Sequence, residues 1–229
     1  MLALFLLQMN PAVNALAAQP EGISLNFIDL ALKGGWIMIP ILVLSLIGIY
    51  IFGDRYIAVR DASKVDASVI NEIHRNVSDG KIDAALAICR STNKPITRMI
   101  EKGITRIGRP LNDVNAAIEN VGNLEVSRLE KGLPVLASVA GGAPMLGFLG
   151  TVTGMIRAFY DMANAGNNID ITLLSSGIYE AMVTTVAGLV VGVLAYFCYN
   201  ILVSKIEGLI FKMEATTTEF MDLLNEPVK

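Results

Sequence analysis

Residues 173–205 read LLSSGIYEAMVTTVAGLVVGVLAYFCYNILVSK, and this stretch decides the fold. From Ala181 to Val203 it carries no charge, which is long enough for a helix of ~20 residues to cross a membrane. Glu180 stands just inside the start of this span. A carboxylate there costs roughly 2.5–3.5 kcal/mol on insertion scales, so it requires a water-filled cavity, a partner or a proton. We therefore expect Glu180 to be the centre of a proton pathway.

Hydroxyl groups and small side chains follow Glu180 along the same predicted helix. Thr184 lies one turn further on. Thr185 lies in a row of small residues that also contains Ala181, Gly188, Gly192 and Ala195. A row of this kind lets a second helix approach closely. On the residues alone, Glu180 could instead be a buried acid that anchors a helix interface, and the threonines could simply bond the carbonyl four residues back.

The composition indicates a membrane protein and gives no sign of an enzyme. Hydrophobic residues make up 53% of the sequence and charged residues 17%, with a mean hydropathy of +0.55. A soluble domain contains ~25% charged residues. The two cysteines, Cys89 and Cys198, are far apart, and the sequence has no P-loop, HExxH or GxSxG motif. We therefore expect no catalysis, no metal or other cofactor, and no nucleic-acid partner.

Two more apolar stretches predict an all-α integral membrane protein with three transmembrane helices and long helical extensions on the cytoplasmic side. We place the helices at residues 33–58, 133–160 and 174–204, with an outside turn at 161–173. Arg157 and Asp161, four residues apart near this turn, are most simply a surface ion pair. From residue 112 the pattern predicts one long helix that enters the membrane.

The second span is rich in residues that favour close packing against another helix. Small residues allow such an approach in a membrane, and Pro144 is expected to bend the helix. The predicted packing positions on the second and third spans are Pro144, Gly147, Gly150, Gly154, Gly188 and Gly192.

Basic residues predict the orientation of the chain. Thirteen of the 18 Lys and Arg lie between residues 54 and 132, which favours a cytoplasmic helical domain at 59–132. Three spans then place a helical tail at 205–229 on the same side and a segment at 1–32 outside. Residues 1–17 fit either a cleaved signal peptide or an interfacial segment that the mature chain retains.

Two motifs in the second and third spans resemble those of a known family. Residues 143–155, APMLGFLGTVTGM, resemble the AP-x-LGLLGTV-x-GM signature of the MotA/TolQ/ExbB proton-channel family. Residues 177–189, GIYEAMVTTVAGL, resemble its GI-x-EAL-x-TT-x-x-GL signature. Three spans rather than four point away from MotA, and the amino-terminal segment looks more like ExbB than TolQ.

The resemblance implies a function and a set of partners. Glu180 matches a glutamate that lines the channel, Thr151 and Thr185 match its pore threonines, and Thr184 belongs to the same motif. Such proteins assemble as a pentamer around two helices of an ExbD-like, single-span partner, whose aspartate carries the proton. The implied complex lies in the bacterial inner membrane and drives a TonB-like protein. A TolQ-type role in envelope maintenance and a non-conducting membrane scaffold are the alternatives.

Overall fold

The computed structural model describes residues 34–164 and 171–225, and for residues 171–173 it describes the backbone alone. The predicted amino-terminal segment at 1–32, with its cleavage site, lies outside these residues. So do part of the predicted outside turn and the last four residues of the predicted tail.

The described residues form seven helices and no strand, which confirms the predicted all-α fold. In chain order the helices are α1 Met38–Ala62, α2 Ala67–Ser78, α3 Ile82–Thr92, α4 Pro95–Ile104, α5 Leu111–Glu130, α6 Leu133–Asn164 and α7 Ile171–Asn225. Within the same residues, three helical stretches are long and apolar enough to cross a membrane, as predicted. They are Met38–Ala62, Leu111–Asn164 and Leu174–Asn225.

The long helix predicted from residue 112 is interrupted once. α5 ends at Glu130 and α6 begins at Leu133. Lys131 between them is extended, with a ψ of 124°, and Gly132 has a φ of +88°. Only glycine adopts that left-handed conformation without steric strain. The prediction of a continuous helix was wrong at this point because hydrophobic periodicity does not register one left-handed glycine.

α6 and α7 pack side by side through small residues. A β-carbon at Gly154 would lie 3.0 Å from that of Ala181, and one at Gly147 would lie 3.3 Å from Cα of Gly188. A later position on α7 therefore contacts an earlier position on α6, so the two helices are antiparallel. The buried row on α6 is Leu136, Val139, Ala143, Gly147, Gly150, Gly154 and Ala158.

α1 lies against both of these helices. Ile37 and Ile41 at its start are almost fully buried. A β-carbon at Gly48 would lie 3.5 Å from Val139 and 3.7 Å from Leu136, both on α6. The rest of α1 is mostly exposed and apolar, as is expected of a helix that faces lipid.

One hydrophobic core runs from the three apolar helices into the polar helices α2–α5 and the end of α7. Ile73, Ile100, Ile118 and Phe220 from four of these helices are each at most 1% exposed. Beside this core, the carboxylate of Glu125 is 3% exposed and accepts hydrogen bonds from Arg98 on α4 and Arg128 on α5. A buried carboxylate requires such partners. Helices α2–α5 thus form a polar bundle at one end of the three apolar helices, and the core is continuous between the two.

Candidate functional site

Glu180 lies where α7 meets α6 and the beginning of α1. Its side chain is half-buried and lines a cavity of about 40 Å³, which we call the Glu180 cavity. The other lining residues are Gly34, Trp36, Ile37, Gly150, Thr153, Gly154, Arg157 and Thr184. Three helices that are distant in sequence thus converge on one carboxylate.

The carboxylate of Glu180 lies directly against the backbone of Gly35. A β-carbon at Gly35 would overlap Oε1 of Glu180, and it would lie 2.9 Å from the carboxyl carbon. Gly35 also has a φ of +66°, a left-handed conformation that favours glycine. The turn before α1 therefore leaves space for the carboxylate because residue 35 has no side chain.

Thr184 shares the Glu180 cavity and is almost completely buried. Its hydroxyl donates a hydrogen bond to the carbonyl of Ala181 at 2.7 Å, and the residue is 1% exposed. The side chain fills the space left by Gly150, where a β-carbon would lie 2.6 Å from Cβ of Thr184. Thr184 therefore joins α7 to α6 beside the carboxylate.

Thr151 and Thr185 form a separate pair, which we call the threonine pair. The hydroxyl of Thr185 donates to the carbonyl of Gly147 on α6 at 3.0 Å, and its oxygen lies 3.5 Å from Oγ1 of Thr151. Thr151 donates to the carbonyl of Phe148 at 2.6 Å. Thr185 therefore does more than bond its own helix, because its hydroxyl bridges α7 and α6.

The four residues of the predicted proton pathway thus fall into two groups. Glu180 and Thr184 are separated by ~40° around α7, whereas Glu180 and Thr185 are separated by ~140°. Within the described part of the chain, no hydrogen bond joins Glu180 to Thr151, Thr184 or Thr185. One chain therefore does not connect the carboxylate to the threonine pair.

The predicted packing positions lie along the contact between α6 and α7. A β-carbon at Gly188 would lie 2.5 Å from the carbonyl oxygen of Ala143, and one at Gly192 would lie 2.6 Å from Cδ of Pro144. Gly147 and Gly150 face Thr184, and Gly154 faces Ala181. The backbones of the two helices approach each other wherever these residues lack a side chain.

Two residues of the site could not be identified from the sequence. Gly35 belongs to an apolar stretch, and nothing in that stretch indicates contact with Glu180. Arg157 suggested a surface pair with Asp161, but among the described residues no ion pair joins the two. The available signal was an arginine at the predicted outer end of a span, where the orientation rule predicts few basic residues.

The chemistry available at the site depends on the polar groups that line the Glu180 cavity. They include a carboxylate, two hydroxyls and a guanidinium, groups that donate or accept hydrogen bonds. Among the described residues, no group of three or more His, Cys, Asp or Glu side chains could hold a metal ion.

Comparison with known proteins identifies relatives over most of the chain. The sequence model of the MotA/TolQ/ExbB proton channel family matches residues 91–215, which include both motifs. An ExbB homolog of Methanothermobacter thermautotrophicus is 28% identical over 195 residues, which cover 83% of this chain and 69% of that protein. An ExbB-like protein of Synechocystis sp. is 28% identical over 181 residues, 78% of this chain and 71% of that protein. The Tol-Pal system protein TolQ of Haemophilus influenzae is 26% identical over 211 residues, 81% of this chain and 87% of that protein.

Proposed function

Because this chain belongs to the MotA/TolQ/ExbB proton channel family and is most like ExbB, we propose that it is the proton-channel subunit of an ExbB–ExbD–TonB-type complex. This complex lies in the inner membrane and uses the proton-motive force to energise outer-membrane transport. The polar bundle α2–α5 faces the cytoplasm, since most of the basic residues lie there.

One observation carries this proposal. Glu180 is an acid at the start of an apolar helix, and its carboxylate lines a cavity with hydroxyl and guanidinium groups instead of facing lipid. An acid at this depth is a functional site by default. Each charge that crosses the membrane releases roughly 2.3 kcal/mol per 100 mV, so a few protons supply enough free energy for a conformational step.

The separation of Glu180 from the threonine pair supports an oligomeric channel. A single chain provides the two groups on different faces of α7, so other subunits must complete a path between them. We propose a pentamer of this chain around two helices of an ExbD-like partner, with Thr151 and Thr185 facing the path. A TonB-like protein receives the resulting motion.

A second candidate is a TolQ-type subunit that maintains the cell envelope. The match to TolQ of Haemophilus influenzae, which covers 87% of that protein, favours this alternative. The two roles use the same proton site and differ in the protein that the complex drives. Complementation of strains that lack either system separates them.

The direct test replaces Glu180 with glutamine, which keeps the size of the side chain and removes its charge. The complex is purified with its native partners and reconstituted in liposomes, and proton flux is measured under an imposed gradient. We expect Glu180→Gln to reduce the flux to that of empty liposomes while assembly is unchanged. Glu207→Gln, on the exposed side of the same helix, is the matched control and should conduct normally. Wild-type flux in Glu180→Gln would exclude Glu180 as the proton-carrying acid, whereas a wild-type complex with no flux above that of empty liposomes would leave only a non-conducting scaffold.

A further inference from the structure

We propose that Gly35 and Arg157 are positioning residues for Glu180, which together hold its carboxylate in the Glu180 cavity. Gly35 does so by leaving space, and Arg157 does so by its charge. The inference rests on the proposed role of Glu180 as the proton-carrying acid. The turn that contains Gly35 lies outside the residues matched by the family, 91–215.

The turn before α1 is fixed in place on α7. The carbonyl of Gly35 accepts a hydrogen bond from the amide of Met38 at 3.2 Å, and that of Trp36 accepts one from Ile39 at 3.2 Å. Ile37 is 4% exposed. A β-carbon at Gly34 would lie 3.4 Å from Val183, one turn along α7 from Glu180. The turn therefore presents Gly35 to the carboxylate in a defined position.

The carboxylate occupies the space that a side chain at residue 35 would need. Any β-carbon there would overlap Oε1 of Glu180. The carboxylate is the flexible end of a long side chain, so it would move away while the turn stayed in place. A side chain at Gly35 therefore displaces the carboxylate more readily than it unfolds the helix.

Arg157 supplies the opposite charge in the same cavity. Of the nine residues that line it, Arg157 and Glu180 are the charged ones. The hydroxyls of Thr153 and Thr184 both donate to carbonyls of their own helices, at 2.9 Å and 2.7 Å. Among the described residues no ion pair joins Arg157 to Glu180, so the guanidinium, as the oppositely charged group of the cavity, attracts the carboxylate across a gap that a water can bridge. The cavity, at about 40 Å³, is large enough for that water.

The first experiment compares Gly35→Ala with Gly80→Ala. Both glycines have a left-handed φ, +66° and +72°, but a β-carbon at Gly80 would meet nothing within 4 Å. The two variants therefore introduce similar backbone strain, and only Gly35→Ala crowds the carboxylate. We expect proton flux through the purified, reconstituted complex to fall several-fold in Gly35→Ala and to stay unchanged in Gly80→Ala. Mass spectrometry also measures how fast dicyclohexylcarbodiimide labels Glu180. We expect this labelling rate to change in Gly35→Ala and to stay unchanged in Gly80→Ala.

The second experiment uses Arg157, whose exposed side chain can be changed without disturbing the fold. Arg157→Gln should lower the flux several-fold and change the carbodiimide labelling rate of Glu180. Arg157→Lys, which keeps the charge, should retain most of the wild-type proton flux and a labelling rate close to that of the wild type. A purely structural role would not distinguish lysine from glutamine.

The outcomes separate this inference from the proposed function. If Gly35→Ala fails to insert or assemble, the turn does not stay in place when residue 35 gains a side chain, and the positioning role of Gly35 is overturned. Wild-type flux and labelling in Arg157→Gln, or equal losses in Arg157→Gln and Arg157→Lys, would overturn the positioning role of Arg157. Wild-type behaviour of Gly35→Ala would overturn that of Gly35. These results would leave the proposed channel intact, because that proposal fails only if Glu180→Gln conducts or the wild-type complex does not.

Discussion

At the scale of single residues, the hydroxyl of Thr185 has a partner on another helix. It donates to the carbonyl of Gly147 at 3.0 Å, whereas the carbonyl of Ala181 on its own helix is 3.4 Å away. Thr151, by contrast, donates to its own helix. Each threonine belongs to one of the two motifs, but only the hydroxyl of Thr185 joins α7 to α6.

We therefore expect Thr185→Val and Thr151→Val to differ. Valine keeps the shape of the side chain, so Thr185→Val should cost only ~0.6 kcal/mol of stability, the average for a hydrogen bond between membrane helices. Proton flux in the intact complex should fall by about tenfold, equivalent to ~1.4 kcal/mol on the barrier. Thr151→Val should reduce flux less. Thr217→Val, where the hydroxyl bonds only the carbonyl of Met213 at 2.9 Å, is the control. Wild-type flux in Thr185→Val would exclude its hydroxyl from the pathway.

Some residues of the site were evident from the sequence, but Gly35, Arg157 and the arrangement of the site were not. Glu180 was evident because a charge at the start of an apolar span is costly. Thr184 and Thr185 follow it on the same helix, and motif resemblance added Thr151. Their separation depends on how α6 and α7 are rotated against each other, which no periodicity determines. Gly35 reaches Glu180 only through the packing of α1 on α7. That contact joins residues far apart in sequence, so neither end reveals it.

At the scale of elements, the packing of α6 on α7 depends on glycines that have no room for a methyl group. A β-carbon at Gly188 would lie 2.5 Å from the backbone oxygen of Ala143, and backbone cannot move aside as a side chain can. On the same α6, a β-carbon at Gly141 would meet nothing within 4 Å. The two glycines look alike in the sequence, but a methyl group fits at Gly141 and does not fit at Gly188.

This difference gives a matched pair of substitutions. Gly188→Ala should destabilise the detergent-solubilised protein by on the order of 1–3 kcal/mol, since overpacking forces the two helices apart. Gly141→Ala should be neutral or slightly stabilising, because alanine is the better helix former. Thermal unfolding monitored by circular dichroism measures both. Equal melting temperatures for the two variants would show that the close approach at Gly188 contributes nothing to stability.

The end of α7 is held by a contact that should respond to pH. The ring of His74 lies 6.2 Å from that of Phe220, centroid to centroid, and Phe220 is fully buried. Nε2 of His74 is buried and has no hydrogen-bond partner among the described residues. Burial lowers the pKa of His74 below its usual 6.5, and the nearby charge of Glu219 acts in the opposite direction.

The direction of this pH dependence follows from the state, folded or unfolded, in which the imidazole of His74 binds its proton more readily. The unfolded chain protonates His74 near pH 6.5, and the folded chain does so only at lower pH. The free energy of unfolding is therefore greatest above pH 6.5 and falls as the pH drops below that value. We expect the protection of α7 residues around Phe220 from hydrogen exchange to decrease between about pH 7 and about pH 5, after correction for the intrinsic exchange rate. His74→Phe, which keeps an apolar ring, should remove this dependence. A dependence that persists in His74→Phe would assign it to other groups.

At the scale of the whole molecule, the small-residue faces of α6 and α7 pack against each other within one chain. Their opposite faces expose large apolar side chains, and Phe148 and Val190 are 68% and 54% exposed. The outer surface of α1 is also apolar, with Leu46 59% exposed. Lipid can cover every one of these surfaces, so exposure in one chain does not distinguish a lipid-facing helix from a subunit contact.

The proposed pentamer predicts which of these surfaces lipid covers. Native mass spectrometry of the complex in mild detergent should give five copies of this chain, and a monomer or dimer alone would contradict the ring. In bilayers, α6 and α7 should face the partner helices and neighbouring subunits, while α1 faces outward. A spin label at Val190→Cys should therefore collide with oxygen, which concentrates in lipid, less often than a label at Leu46→Cys. The two positions have similar exposure in one chain, so assembly alone would account for the difference. Equal oxygen accessibility in the reconstituted complex would mean that α7 faces lipid, and the proton path would then have to run through a single chain.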